Sequence, residues 1–380
     1  MPDTLWMVEP HDSVIVRDGR PFSATESYAV ASSLPFVPPS VIAGAVRGRQ
    51  GSDRYGMFDN GQRFHVQKTK VRGPFLVHKL NDRTHTYFLP RPADSLMLDE
   101  PGQQFRMLRP QPNHFTNLSN NLIPLYPTGQ MNMLSKPILD KALYWSDSQY
   151  RRWLYEDVVV YNPQNFLDEL PRDWRMHVTM DAQTHTAKSG GLFATQGLTW
   201  RMGTLAGGIR EFAMIVMVDS SLDNAIQTPP VIDTFGGEQR LVHWHKTNVP
   251  LPTILQDSSP DDLINTIVAN RRCRMLLLTP GYFTRGWLPD IVAAQDAPIV
   301  RAVAINRGEF YSGWDILGNT PKHAMRCAPA GTVYFLEFPS AYTDNDIRAW
   351  VLKWWMQSVS DQSQLQHDGF GIAIFGQWRV

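Results

Sequence analysis

The chain has 380 residues, more than most single cores hold, so two domains are expected; its 43% hydrophobic and 11% aromatic content can fill both. Its 36 basic and 36 acidic residues cancel, which excludes steering of a polyanion by net charge and leaves that task to local patches. The two cysteines, Cys273 and Cys327, form no Cys-x-x-Cys, which speaks against a zinc knuckle or a disulfide framework. The first residues lack a basic and then apolar leader, and the longest apolar run, 212–218, is far short of a membrane span. A soluble cytoplasmic protein without a membrane partner is expected.

Residues 5–8 read as an opening strand, followed by an extended run at Ser13-Val14-Ile15-Val16 that leads into the turn Asp18-Gly19-Arg20-Pro21. Pro38-Pro39-Ser40 opens a helix, with Val41, Ile42, Ala45 and Val46 on one face and Gly48 and Gly51 closing it. From about 55 to 170 prolines are frequent and strands short, and only 139–154 has helical rhythm, so a long insertion is expected. The alternating stretch 174–180, a polar segment 181–191 and residues 192–202 read as a hairpin with a long loop; an apolar strand follows at 211–219.

In the second half, Ser259-Pro260-Asp261-Asp262 reads as a capped helix start with Leu263, Ile264, Ile267 and Val268 on its apolar face. Strands are expected at 274–278, 299–306 and 332–338. A last helix starts at Thr343, carries Ile347, Trp350, Val351 and Trp354 on one face, and leads into a glycine-bearing strand, 368–376. Antiparallel strands with a few helices on one face define an α+β protein, a class that includes the ferredoxin-like arrangement. The expected division is 1–220, holding the insertion, and 221–380.

Gly369, Gly371 and Gly376 stand around that last strand. A phosphate-binding fingerprint sets its glycines before a helix, and too little sequence follows for one. They must serve close backbone approach, either to a neighbouring helix or to a polymer crossing the end of a sheet.

Residues 63–91 hold Arg63, Lys68, Lys70, Arg72, Lys79, Arg83 and Arg91 against the single acid Asp82, interleaved with His65, His78, His85, Phe64, Phe75, Tyr87 and Phe88. Such a mixture of cations and ring faces suits single-stranded nucleic acid, or else it is a solvated strand face. Arg17, Arg20, Arg47 and Arg49 form a second cluster, although arginines in a helix's last turn also serve its dipole. The polar segment 181–191, with His185 and Lys188, is longer than a tight turn needs, as in loops that touch a partner.

Catalytic signatures are thin. There is no phosphate-binding loop, no His-Glu-x-x-His and no nucleophile elbow, and His11-Asp12 and His367-Asp368 lack companion metal ligands. No metal or cofactor is expected. A metal-independent ribonuclease needs only a histidine or two and a lysine near the scissile phosphate, and His11, His177, His185 and Lys188 are the candidates for that reading.

Asp12-Ser13-Val14-Ile15-Val16-Arg17-Asp18-Gly19-Arg20-Pro21-Phe22, with Pro38-Pro39-Ser40-Val41-Ile42-Ala43-Gly44-Ala45-Val46-Arg47, resembles the start of RAMP-superfamily subunits of CRISPR effector complexes. More narrowly it is similar to the family of the third Cmr subunit of type III-B systems. Phe235-Gly236-Gly237-Glu238-Gln239-Arg240, Leu278-Thr279-Pro280, Gly286-Trp287-Leu288-Pro289, Ser312-Gly313-Trp314-Asp315, Pro321-Lys322, 329–335 and Gly369-Phe370-Gly371 follow in the same order. Residues 55–170 take nothing from the resemblance.

The resemblance implies two tandem ferredoxin-like (RRM-like) domains that cap the repeat-derived five-prime handle of a guide RNA, beside a large polymerase-like subunit and a backbone subunit. Target RNA would lie nearby, reached by a thumb-type hairpin for which 181–191 is the candidate. It implies no catalysis by this chain; the alternative within the superfamily is an endoribonuclease that processes precursor guide RNA. The candidate RNA contacts are Arg17, Arg20, Ser40, Gly44, Arg47, Arg49, Lys68, Lys70, His185, Lys188, Gly236, Gly237, Arg240, Gly369, Phe370 and Gly371.

Overall fold

A computed structural model describes residues 3–17, 29–53, 57–81, 84–100, 102–112, 118, 122–129, 135–204, 207–219, 231–315 and 320–379. The chain divides into two compact units. The first comprises Met1–His85, Leu170–Asn248 and Phe310–Met325; the second comprises Thr86–Glu169, Val249–Glu309 and Arg326–Val380. The expected grouping, 1–220 with an insertion at 55–170, differs from this one, because the contacts join Thr86–Glu169 to the C-terminal half.

In the first unit an antiparallel sheet runs in the order Val231–Phe235, Arg240–Lys246, Thr4–Pro10, Ile209–Val218, Val71–Lys79, with Arg201–Gly203 also pairing on Ile209–Val218. Helix Pro39–Gln50 packs on Val71–Lys79. Its Ile42 and Val46, one turn apart, and Ala43 are buried, and Pro39 occupies the first turn, where the missing N–H costs nothing. The strand Val71–Lys79 corrects the expectation of only short strands after residue 55. Its Gly73-Pro74 interrupts the apolar pattern, yet Phe75, Leu76 and Val77 are all buried.

The extended run 13–16 forms no regular strand. It bridges three segments instead: Val14 exchanges backbone hydrogen bonds with Leu198, Ile15 accepts one from Gly237 at 2.7 Å, and Val16 accepts one from Leu34 at 2.8 Å.

In the second unit an antiparallel sheet runs in the order Ile299–Ala304, Val333–Glu337, Arg272–Leu277, Ile372–Gln377, Gln357–Ser358. Helices Asp261–Asn270 and Asp344–Trp354 pack together and on Ile372–Gln377. The second of these has a capping box, Thr343 with Asp346. The first has no side-chain cap; Pro260 is its N-cap and Asp261 and Asp262 face the helix dipole, so the capping expected of Ser259 is not made. A further short helix, Ser363–Asp368, intervenes before the last strand.

What binds Thr86–Glu169 to this unit is Arg274, a buried arginine on the central strand. It donates to Asp94 Oδ2 at 2.7 Å, to the Gln377 carbonyl at 2.6 Å and to the Trp153 carbonyl at 2.5 Å, while Trp153 Nε1 donates to Asp94 Oδ1 at 2.7 Å. Trp145, Trp153, Phe105 and Phe166 pack beside this network in tilted and edge-on pairs with ring centroids 4.5 to 5.5 Å apart. Among the described residues no helix is long and apolar enough to cross a membrane.

Candidate nucleic-acid interface

Strands Arg172–Met180 and Ala187–Leu198 of the first unit form a hairpin, paired from Arg172 opposite Leu198 to Met180 opposite Ala187. Asp181 builds the turn: its Oδ1 accepts from the amides of Gln183 at 2.9 Å and Thr184 at 3.0 Å, and its own amide donates to Thr186 at 2.8 Å. Residues 187–191, expected in a loop, are therefore strand. A third strand, Ala29–Ser32, runs parallel beside residues 193–196, whereas residues 182–190 are exposed throughout.

Period-two alternation puts Trp174, Met176, Val178 and Met180 on one face, with Leu192 opposite Val178. Alternation ordinarily turns the apolar set inward. Here it turns outward, and the five side chains are 56, 54, 46, 52 and 45% exposed in that order. The polar set lies on the other face, where His177 Nε2 is 2.9 Å from Thr195 Oγ1 and the ring stacks on Phe193 at 5.0 Å.

An ionic brace holds the base of the hairpin. Arg175 donates to Asp12 Oδ1 and to Asp173 Oδ2, both at 2.7 Å, and Ser13 Oγ donates to Asp173 Oδ2 at 2.5 Å. Arg240 donates to Asp12 Oδ2 at 2.9 Å and to Glu238 Oε2 at 2.6 Å. The Arg175 hydrogen bond holds the Asp12 carboxyl below its ordinary range, and the Ser13 hydroxyl, with Arg175 behind it, does the same for Asp173. Gly197 lets this brace close, since a Cβ there would stand 2.7 Å from Ser13 Cβ.

Arg17 is exposed at the end of the bridging run, and Gly236 (φ +68°) and Gly237 lie against Ile15 in the neighbouring turn, where a Cβ on Gly236 would meet the Ile15 carbonyl at 2.7 Å. His185 and Lys188 are exposed at the hairpin tip. Arg240 is engaged by Asp12 and Glu238. Arg20 lies outside the described residues.

Ser40, Gly44, Arg47 and Arg49 share the helix Pro39–Gln50, where Gly44 is exposed. Arg47 donates to the Thr69 carbonyl at 3.0 Å, which brings the helix end to the exposed Lys68 and Lys70, and Arg49 pairs with Asp233 at 2.8 Å.

The basic run 63–91 is not one charged face. Arg72 donates to Asp3 at 3.0 Å and Lys79 to Glu9 at 2.5 Å, both largely shielded, because the strand that carries them is buried. Burial pushes the Arg91 guanidinium down to about 10 and the His78 imidazole down to about 4. Phe75, Tyr87 and Phe88 are core residues, and only Phe64, His65, Lys68 and Lys70 of the run's named rings and cations are exposed among the described residues.

Gly369, Phe370 and Gly371 belong to the second unit and are buried. The close approach that these glycines permit is to protein. Gly369 (φ +89°) caps the short helix, Gly371 (φ +71°) would set a Cβ 2.6 Å from Ser360 Oγ, and Gly376 would set one 3.1 Å from the Leu154 carbonyl at a helix end.

Trp174, Met176, Val178 and Met180, and the brace residues Asp12, Asp173 and Arg175, were absent from the sequence candidates. The alternation at 174–180 was the available signal, but it shows only that two faces differ, not which one meets solvent.

The model of the family described as CRISPR-associated protein (Cas_Cmr3) matches residues 6–378. The chain belongs to this family and is a Cmr3-type CRISPR-associated subunit. Similar solved structures include a chain of the type III-B Cmr-beta complex bound to cognate target RNA and AMPPnP, at 17% identity and TM-score 0.47, covering 87% of this chain and 86% of that one. The same complex with cognate target RNA alone gives 18% identity and the same TM-score of 0.47, again covering 87% and 86% of the two chains. A chain of the Csm3–Csm4 subcomplex of a type III-A interference complex gives 11% identity and TM-score 0.42, covering 99% of this chain and 100% of that one. No curated protein matches the chain.

Proposed function

We propose that this chain is a non-catalytic RNA-binding subunit of a type III CRISPR effector complex, which caps the five-prime repeat-derived handle of the guide RNA and bridges the large subunit to the backbone subunits. The observation that carries this reading is the hairpin Arg172–Met180/Ala187–Leu198: braced by side-chain ion pairs at its base, exposed at its tip, presenting Trp174, Met176, Val178 and Met180 to solvent along its length and His185 and Lys188 at its tip. A rigid arm with apolar and aromatic side chains outward can stack on or wedge between splayed bases, while its cation meets a phosphate.

Strand order supports two ferredoxin-like units. With Thr4–Pro10, Val71–Lys79, Ile209–Val218 and Arg240–Lys246 numbered one to four along the chain, the order across the sheet is four, one, three, two. Arg272–Leu277, Ile299–Ala304, Val333–Glu337 and Ile372–Gln377 repeat that order. The helices Pro39–Gln50 and Asp344–Trp354 occupy one crossover of each.

The test is crosslinking of a photoreactive handle RNA to the assembled complex, followed by mapping of the crosslinked peptides, with metal-free incubation of the purified chain with precursor repeat RNA alongside. Crosslinks in 172–198 and an intact precursor are expected. No crosslink to this chain would reject handle binding, and site-specific cleavage would reject the non-catalytic role.

A further inference from the structure

One face of the first unit's sheet carries a half-buried cluster that the RNA reading does not use. His243 and His245 are alternate residues of the strand Arg240–Lys246, so both project to the same face. Glu9 stands directly opposite His243 on Thr4–Pro10, which puts its carboxylate beside the same imidazole. One donor atom from each of Glu9, His243 and His245 lies within 4.8 Å of the other two.

We infer that Glu9, His243 and His245 form a binding site for a divalent transition metal of the zinc class. The donor set is two imidazoles and one carboxylate, which suits a borderline-soft ion and leaves a fourth position open. Zinc with ligands at about 2.0–2.1 Å needs donors roughly 3.3 Å apart in a tetrahedron, and small side-chain rotations close the gap from 4.8 Å.

Two features distinguish this cluster from a chance grouping on a polar face. Glu9 divides its oxygens: Oε1 accepts the Lys79 ammonium at 2.5 Å, while Oε2 faces His243 Nδ1 at 3.5 Å. That lysine bond orients the carboxylate as an outer partner does in metal centres and leaves the second oxygen for the ion. Among the described residues, His245 Nδ1 is buried without a hydrogen-bond partner, a cost that a bound ion or its ligand water would relieve. His11, exposed, stacks on His243 at 6.1 Å between ring centroids.

The test uses the full chain, freed of any polyhistidine tag, titrated with Zn2+ against a chromophoric chelator and with Co2+ by visible absorption. One Zn2+ per chain is expected, with a tetrahedral Co2+ spectrum. His243→Ala and His245→Gln should each weaken binding about tenfold or more. Circular dichroism verifies that each variant is folded, and Zn2+ should raise the melting temperature of the wild type but not of Glu9→Gln/His243→Ala/His245→Gln. Absence of saturable one-to-one binding, or equal binding by that folded triple variant, would overturn the assignment.

Discussion

Asp94 and Arg274, 180 positions apart in the chain, meet at 2.7 Å with both side chains wholly withdrawn from water. Each lone charge would be costly there, so the pair and the carbonyls around it act as a unit. We expect Asp94→Asn or Arg274→Met alone to lower stability by about 3–5 kcal/mol in denaturant unfolding, with much of that restored when both are replaced. Independence of the two substitutions would contradict the network.

Gly371 combines φ +71° with a Cβ position 3.0 Å from the Ser360 backbone nitrogen. Gly371→Ala should cost the isolated protein about 1–3 kcal/mol, and Gly371→Val more. Thermal unfolding is the measurement. A variant of unchanged stability that fails only in assembly would show that the glycine serves an external partner instead.

The elements themselves were legible in the sequence wherever local chemistry decided them. Pro39 and the Ile42/Val46 spacing define the first helix, and the Thr343/Asp346 box defines the last long one. What pattern could not reveal was long-range commitment. Lys79 reads as a surface cation until Glu9 is found beside it, and the alternation at 174–180 does not tell which face meets solvent until Trp174 and Met176 are seen exposed. The division of the chain was hidden for the same reason, since nothing local to Asp94 announces Arg274.

Arg47 and Lys188 should separate by their surroundings. Arg47 is tied to the Thr69 carbonyl, whereas Lys188 is exposed at the hairpin tip. Arg47→Ala should lower the melting temperature, corresponding to about 1 kcal/mol for the lost hydrogen bond. Lys188→Ala should leave melting unchanged and reduce the slope of log affinity against log salt by about one for handle RNA. An unchanged slope would remove Lys188 from the phosphate contacts.

The brace at Asp12 and Asp173 has a definite acid dependence. Both carboxyls are held below their ordinary range, Asp12 by Arg175 and Asp173 first by Ser13, so their contribution is complete above the unfolded-state value and is lost as pH falls through the lower folded value. Hydrogen exchange of the hairpin base should stay protected from neutrality through mild acid and give way only below the ordinary carboxylate range. Arg175→Met should open it at neutral pH. Loss of protection in the histidine range would point to another group.

The most direct measurement for the account as a whole is the crosslink map of handle RNA on the assembled complex, comparing wild type with Trp174→Ala/Met176→Ala. RNA should be joined to peptides of 172–198, and the double substitution should reduce this severalfold while the complex remains assembled. RNA joined to this chain only elsewhere, or an unchanged pattern in the variant, would contradict the claim that the exposed hairpin is the RNA-facing element.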